Sequence, residues 1–387
     1  MRPHTSLSFW ERLSVSKLAE FVVGDCAIIF WLKGSETMLV ERFRKRGFVP
    51  LRDAAEKAVR ACHLCDITID VIITTTAIHD EGYSYLEDDL EKLIKAVTPS
   101  REIARGQNRI LLTIEDLSLI DQKNWQGFRR DLLDRGVSPI DAESRASRLV
   151  QTIIPLTRKR LEQQFLRILM HEIVHVWTMR TSEARRLFER SRERLRALLS
   201  KRRSLVTLQN ALALHPDDHA LLRDAYLLFR ERLLWYSHMA CEEGFAEYLA
   251  RLLKEGAVSP DGSYGYLCAD SFEESLKAFE AFGTQKGFGG AVQQERFFTA
   301  INQMDHLWEK ARYALCTTIP KTLLINGRSL ESIARMTSPQ MLRAYEDACK
   351  ELRIKPYFAS RPGTDAIFNF GAAAIRLNAL RKKLGVR

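Results

Sequence analysis

The residues most able to do chemistry lie in one segment, residues 166–177, which contains the pattern His-Glu-x-x-His. The two histidines, His171 and His175, are four residues apart, so a helix presents both imidazoles on the same face. Two imidazole nitrogens placed in this way can bind one tetrahedral zinc ion. Glu172 then lies beside the ion and can accept a proton from the attacking water of a hydrolysis reaction. The segment therefore predicts a zinc site with two histidine ligands and Glu172 as the general base.

Apolar residues flank this motif at the spacing expected of a buried helix. They are Leu161, Phe165, Ile168, Leu169, Ile173 and Val176. Polar groups in a buried helix need hydrogen-bonding partners or a metal ion. The flanks therefore favour zinc binding over a pair of structural core histidines.

A catalytic zinc ion needs a third protein ligand and one open position for water or substrate. A third histidine at the short metzincin spacing is excluded, because Thr178 and Thr181 stand at the required positions. Farther along the chain, Glu243 and Glu247 are one helical turn apart. This spacing predicts that Glu243 is the third ligand. It also predicts that Glu247 accepts a hydrogen bond from the outer nitrogen of one ligand histidine and so orients it.

Taken together, the His-Glu-x-x-His pattern and the run Glu-Gly-Phe-Ala-Glu-Tyr-Leu-Ala at residues 243–250 resemble the gluzincin metallopeptidases. The resemblance covers two short motifs. It implies a zincin-like catalytic core and a zinc-dependent endopeptidase or aminopeptidase that cleaves a protein or peptide. The resemblance implies functional roles for five residues: the zinc ligands His171, His175 and Glu243, the base Glu172 and the orienting residue Glu247.

The chain departs from the gluzincin pattern in two ways. The gap between the two motifs is long, although an antiparallel helical hairpin could return the chain to the metal. No aminopeptidase-type motif for gripping a substrate N-terminus is visible, which leaves the choice between exopeptidase and endopeptidase open.

Three histidines are alternative third ligands: His215, His219 and His238. A histidine ligand would instead resemble the SprT-like proteases, which act on proteins bound to DNA. However, His215 and His219 flank a Pro-Asp-Asp run that is typical of a helix start. Glu243 is therefore the favoured ligand.

The donor that would stabilise a developing oxyanion stays unassigned by the sequence. The candidates are Tyr248, Tyr264, Tyr266 and Tyr313. A tyrosine in a helical protein belongs more often to the core or its rim, so none of the four is favoured.

Much of the net charge of +10 is concentrated in residues 180–203, which carry ten Lys or Arg side chains against three Glu. A solvated helix face is the simplest explanation of such a stretch. The alternative is a nucleic-acid or acidic-protein partner, which would make the chain a binding module that keeps its zinc site. A metal-stabilised scaffold without turnover is a further alternative.

Length and composition are those of an ordinary folded protein, with 387 residues of which 46% are hydrophobic and 28% charged. The longest apolar run near the start, residues 21–32, contains Gly24 and Asp25 and is too short to span a bilayer. Seven cysteines at irregular spacing argue against a disulfide framework and predict a cytoplasmic location. Cys62 and Cys65 have a metal-like spacing, but they lack a second pair for a structural zinc ion.

The elements that must position the predicted site belong to an α+β fold that is mostly α. We predict an N-terminal α/β unit at residues 1–140 and a helical zinc-binding core with an inserted basic hairpin at residues 141–258. A helical C-terminal subdomain is predicted at residues 259–387. Helical patterns dominate from about Ala142 onward, with breaks expected at Pro155, Pro216, Pro260, Pro320 and Pro356 and in the glycine-rich loop at residues 283–290.

Within the N-terminal unit, two β-rich segments predict strands at residues 67–73 and 109–114. Helical spacing predicts helices at residues 51–62 and 85–97. These elements indicate a small α/β arrangement with a modest sheet.

Overall fold

The structure is a computed structural model, and it describes residues 15–33, 38–75, 109–114, 117–178, 190, 211, 214–215, 218–256, 273–274, 276–277, 280 and 317–383. In these ranges the protein is mixed α+β and mostly helical, which confirms the predicted class. The chain forms two compact units, Met1–Val176 and Trp177–Arg387. The division into three parts stays a prediction. No helix among the described residues is long and apolar enough to cross a membrane.

A four-stranded sheet forms the centre of the first unit, with its strands in the order β1-β2-β3-β4. The strands are β1 (Ser16–Val23), β2 (Cys26–Lys33), β3 (Ile67–Thr75) and β4 (Arg109–Ile114). β1 and β2 pair antiparallel, whereas β2 with β3 and β3 with β4 pair parallel. The sheet therefore combines one hairpin with a parallel part, and the predicted strands at residues 67–73 and 109–114 are confirmed.

The apolar run at residues 21–32 forms most of the β1–β2 hairpin, which the sequence pattern did not predict. Gly24 has a φ of 57°, a left-handed conformation that glycine adopts at little cost in a tight turn. Residues 26–32 are all buried, so β2 lacks the alternation of polar and apolar residues that reveals a half-exposed strand.

The first unit also contains α1 (Met38–Lys45), α2 (Val49–Ala61), α3 (Leu117–Asp134) and α4 (Pro139–Thr178). α2 confirms the helix predicted at residues 51–62, whereas the helix predicted at residues 85–97 lies outside the described residues. The break expected at Pro155 is wrong, because α4 continues through this residue. A proline inside a helix costs about 3 kcal/mol. Long helical segments on both sides offset that cost, since helix propagation is cooperative.

Most of the second unit is helical. Its helices are α5 (His219–Glu255), α6 (Thr318–Ile325), α7 (Leu330–Ala334), α8 (Ser338–Glu351) and α9 (Phe370–Lys383). Two short strands, β5 (Phe358–Ala359) and β6 (Phe368–Asn369), pair parallel between α8 and α9 in the chain. The basic segment at residues 180–203 lies outside the described residues except for Arg190.

Both ends of α5 are set by local chemistry. The Asp218 side chain accepts hydrogen bonds from the backbone amides of Ala220 and Leu221, at 2.7 and 3.3 Å, and so caps the first turn. Gly256 ends the helix with a φ of 73°, the left-handed conformation common after a helix C-terminus. Between these caps α5 runs continuously through both predicted glutamates, Glu243 and Glu247.

Candidate metal centre

The apolar residues of α4 pack this helix into the protein as the spacing predicts. Phe165, Leu169 and Ile173 are buried. Ile168 and Val176 are half-buried, and the side chain of Leu161 lies outside the described residues. The His-Glu-x-x-His segment is thus carried by a packed helix, which limits the movement of its side chains.

α4 is fastened to α1 by an ion-pair cluster next to this apolar face. The buried carboxylate of Glu162 forms an ion pair with Arg42, with 2.7 Å between Nε and Oε2, and its Oε1 accepts a hydrogen bond from Arg46 Nη1 at 2.5 Å. The rings of Phe43 and Phe165 contact each other beside the cluster, with their centroids 5.7 Å apart. The cluster was not predicted, because no local spacing links α1 to α4 more than a hundred residues later in the chain.

His171 and His175 point their ring nitrogens towards each other. Their Nε2 atoms are 3.0 Å apart, close to the separation of about 3.3 Å for two nitrogens on one tetrahedral zinc ion. The ring centroids are 4.6 Å apart with an angle of 80° between the ring planes. At this distance one ring can also donate a hydrogen bond to the other. The predicted placement of both imidazoles on one helix face is therefore confirmed.

Glu243 completes a group of three potential ligands with the two histidines. One donor atom from each of His171, His175 and Glu243 lies within 4.8 Å of the others. His171 is buried, whereas His175 and Glu243 are half-buried. Two imidazoles and one carboxylate are a donor set that catalytic zinc sites use, with a fourth position left open. The three residues could therefore hold a metal ion, and their donor set suits zinc.

The position of Glu243 is supported by a neighbouring aromatic contact. The ring of Trp177 contacts the ring of Phe245 with 6.0 Å between the centroids and 44° between the planes. Phe245 is fully buried. Both residues belong to the second unit, and the contact lies only two residues away from Glu243 in the chain.

Glu247 lies one turn after Glu243 and is buried, with 1% of its surface exposed. Its Oε1 accepts from Arg251 Nε at 2.6 Å. A buried carboxylate needs such a partner, because desolvation without compensation is costly. The hydrogen bond predicted from a ligand histidine to Glu247 is not formed in this structure, because the outer nitrogens, Nδ1 of His171 and of His175, have no hydrogen-bond partner among the described residues. Arg251 was not predicted, although its spacing of four residues from Glu247 could have indicated the pair.

Glu172 is half-buried and directly follows His171 in α4. One residue corresponds to a rotation of about 100° around the helix axis, so Glu172 leaves the helix on a different side from the two histidines. The role of Glu172 as a base stays a prediction.

The alternative histidine ligands do not join the group. The cluster of potential metal ligands found among the described residues contains the two histidines of α4 and Glu243. It does not include His215 or His238. His215 is exposed. His238 is buried, and burial lowers its pKa because the charged imidazolium is desolvated. The side chain of His219 lies outside the described residues.

Tyr248 is the one oxyanion-donor candidate that the structure describes. It is buried on α5, and burial raises its pKa, so that its hydroxyl keeps its proton and can donate a hydrogen bond. Tyr264, Tyr266 and Tyr313 lie outside the described residues.

The described cysteines, residues 26, 62, 65, 241 and 349, are not joined in disulfides. Cys62 directly follows α2 and is buried, and burial raises its pKa to about 12. Cys65, three residues later, is exposed. The two thiols thus have opposite environments, which disfavours a shared metal ion.

Comparison of the chain with protein-family models, with curated proteins and with solved structures gave no match.

Proposed function

We propose that the chain is a zinc-dependent peptidase whose ligands are His171, His175 and Glu243. The observation that carries the proposal is the approach of two imidazoles and one carboxylate within 4.8 Å. These side chains come from two helices that are far apart in the chain. A cluster of this composition matches the donor preference of zinc, and its three members leave one position for a substrate or water.

A bound zinc ion would supply Lewis-acid polarisation of the scissile carbonyl and would lower the pKa of water. The chain's own residues do the remaining work. Glu172 accepts the proton of the attacking water at its carboxylate and later gives it to the leaving amine. His171 and His175 are held by the packing of α4, so their positions are set before any substrate arrives.

With zinc bound, Glu247 and Arg251 would contribute orientation. The guanidinium of Arg251 donates to the buried carboxylate of Glu247 and fixes one of its oxygens. An ionised carboxylate at this place would hold a ligand histidine in one tautomer through its outer nitrogen.

The two motifs favour a gluzincin-type peptidase with a zincin-like core. Its substrate would be a protein or a peptide. Cytoplasmic location and a nucleic-acid or acidic partner at residues 180–203 remain hypotheses from the sequence.

The decisive experiment compares wild-type protein with Glu172→Gln, which keeps the shape of the side chain but removes the base. Metal content per chain is measured by elemental analysis after dialysis, and cleavage is measured on a peptide library by mass spectrometry. Glu143→Gln is the matched control, because Glu143 is an exposed residue of the same helix. The readouts are bound zinc and cleavage rate.

We expect one zinc per chain in all three proteins. We also expect cleavage by wild type and the control, and a loss of at least about 100-fold in Glu172→Gln. Cleavage at the wild-type rate by a zinc-loaded Glu172→Gln protein would disprove the role of the base. Absence of zinc from the wild-type protein would disprove the metal site.

A further inference from the structure

We propose that a pocket at the carboxyl end of α8 binds an acidic peptide segment through its carboxylate groups. The pocket has a volume of about 500 Å³, within the range of pockets that bind ligands. We call it the α8-end pocket. The cationic residues that line it are Lys350, Arg353, Lys355 and Arg361.

One wall of the α8-end pocket is a loop held by a buried carboxylate. Glu346 is 4% exposed, and its Oε1 accepts from the Ser360 amide at 2.5 Å and from Ser360 Oγ at 2.7 Å. Its Oε2 accepts from Thr364 Oγ1 at 3.0 Å. The hydrogen-bonding capacity of the Glu346 carboxylate is therefore used by the loop, and its charge is compensated in part by Arg361, whose Nε lies 3.7 Å from Oε2.

The same loop is fixed by contacts from the start of α9. Asn369 Nδ2 donates to the carbonyl oxygens of Arg361 and Thr364, at 2.7 and 2.9 Å. A Cβ at Gly371 would lie 2.1 Å from the Ser360 carbonyl oxygen, so the close approach requires glycine. The wall is thus formed before a ligand binds, which lowers the entropy lost on binding.

Positive charge is left over in the α8-end pocket after its internal ion pairs are formed. Arg361 donates to both carboxylate oxygens of Asp347, at 2.8 and 2.9 Å, and Lys355 pairs with Asp365 at 2.9 Å. The side chains of Lys350 and Arg353 form no direct ion pair with any residue that the structure describes. The pKa of the Asp347 carboxyl is lowered by its hydrogen bond from Arg361 and also by the charge of Lys350. These two cations are available to a ligand carboxylate.

An exposed aliphatic patch adjoins the pocket. Ile354 lines the pocket with 47% of its surface exposed, and Leu352 and Ile325 are 36% and 63% exposed. Asn326 Nδ2 donates to Glu351 Oε2 at 2.6 Å, which places the end of α6 beside the end of α8. Cations next to aliphatic side chains match a peptide that carries both acidic and aliphatic residues.

A peptide suits the lining better than a nucleic acid does. Backbone amides of a peptide can donate hydrogen bonds to the carboxylates of Asp347 and Asp365, whereas a phosphate backbone offers these carboxylates no donor. The lining contains no aromatic side chain on which a base could stack.

The α8-end pocket lies at the opposite end of α8 from the contact with α5. Cys241 Sγ donates to the Ser338 carbonyl oxygen at 3.6 Å, at the first residue of α8. The 14 residues of α8 span roughly 20 Å at 1.5 Å per residue. Peptide binding at the pocket needs no metal, so the proposal does not depend on the proposed peptidase activity.

The test measures binding of a fluorescein-labelled eight-residue peptide of alternating Glu and Leu to the full chain by fluorescence anisotropy. The variant Lys350→Glu/Arg353→Glu reverses both available cations. Lys57→Glu/Lys382→Glu is the control, because it makes the same change in net charge at exposed residues outside the pocket. Succinate and an oligothymidine of equal charge serve as competitors. Circular dichroism checks that each variant is folded.

We expect the pocket variant to bind the peptide at least about tenfold more weakly than wild type and the control to bind as wild type does. Succinate is expected to compete only weakly, because it lacks the aliphatic side chains. Equal binding by the pocket variant and wild type would overturn the proposal, and so would no binding to wild type. Stronger competition by succinate or oligothymidine than by unlabelled peptide would overturn the assignment to a peptide.

Discussion

The ring of Trp177 lies 6.0 Å from the ring of Phe245, and each of these residues follows a predicted zinc ligand by two positions. Trp177 follows His175 at the end of α4, and Phe245 follows Glu243 in the middle of α5. Residues so close in the chain move together in a helix. The aromatic contact therefore lies next in the chain to two of the three candidate zinc ligands.

Replacing Trp177 is expected to weaken zinc binding although no ligand is removed. Trp177→Ala should also lower the free energy of unfolding by about 2 kcal/mol, less than for a fully buried Trp because this side chain is half-buried. Trp177→Phe keeps an aromatic ring, so it should lose less zinc affinity and less free energy of unfolding than Trp177→Ala does. Urea denaturation and titration with a chromophoric chelator give the two readouts. Unchanged zinc affinity in Trp177→Ala would show that the contact of Trp177 with Phe245 does not support the metal centre.

Removing the carboxylate ligand should release the metal. We expect Glu243→Ala to bind zinc at least about 100-fold more weakly, because loss of an outer partner alone costs up to that factor. Glu255→Ala is the control, since Glu255 is an exposed residue at the end of the same helix. Zinc content after dialysis and competition with a chelator measure the effect. If Glu243→Ala and Glu255→Ala hold zinc equally, another residue is the third ligand.

Loss of the buried charge at Glu162 should destabilise the first unit. Glu162→Gln weakens the contacts with Arg42 and Arg46, and we expect a loss of about 1–3 kcal/mol in the free energy of unfolding. Glu56→Gln removes a carboxylate from an exposed pair with Arg60 and should cost less than about 0.5 kcal/mol. Chemical denaturation of both variants tests the difference. Equal losses in the free energy of unfolding for the two variants would show that burial of Glu162 does not strengthen its ion pairs.

The buried thiol of Cys62 should make stability fall at high pH. Burial raises the pKa of Cys62 from 9.0 to about 12, so the unfolded chain loses this proton at a lower pH than the folded protein does. The stabilisation is therefore fully present below pH 9 and is lost as the pH rises from 9 towards 12. Between pH 8 and 10, wild type should lose about 1 kcal/mol more stability than Cys62→Ala. Urea denaturation of both proteins at pH 8 and pH 10 measures this difference. An equal loss of stability in wild type and Cys62→Ala would contradict the prediction.

Local features of the chain could be predicted from the sequence. His171 and His175 lie on one face of a helix, and Glu243 and Glu247 lie in a second helix, as their spacing predicts. Strand β3 was also predicted, because β-branched residues follow one another over its length. Helical and strand periods depend on neighbours within a few residues, so they are visible in a single sequence.

Patterns that lack a clear period led to errors. The β1–β2 hairpin was not predicted, since strand β2 is buried along most of its length and its composition does not alternate. The break at Pro155 was wrongly expected, because the local penalty of a proline says nothing about the packing that extends α4 on both sides.

Residue spacing was enough to place two imidazoles on one helix face and a glutamate that can bind zinc on another helix. The packing of the helices was needed to show that Glu243, and neither His215 nor His238, has its donor atom within 4.8 Å of both histidines among the described residues. The contact of Trp177 with Phe245 and the α8-end pocket were likewise visible only in the folded protein. Such contacts join residues that are distant in the chain, and they depend on how whole helices pack, which no local period encodes.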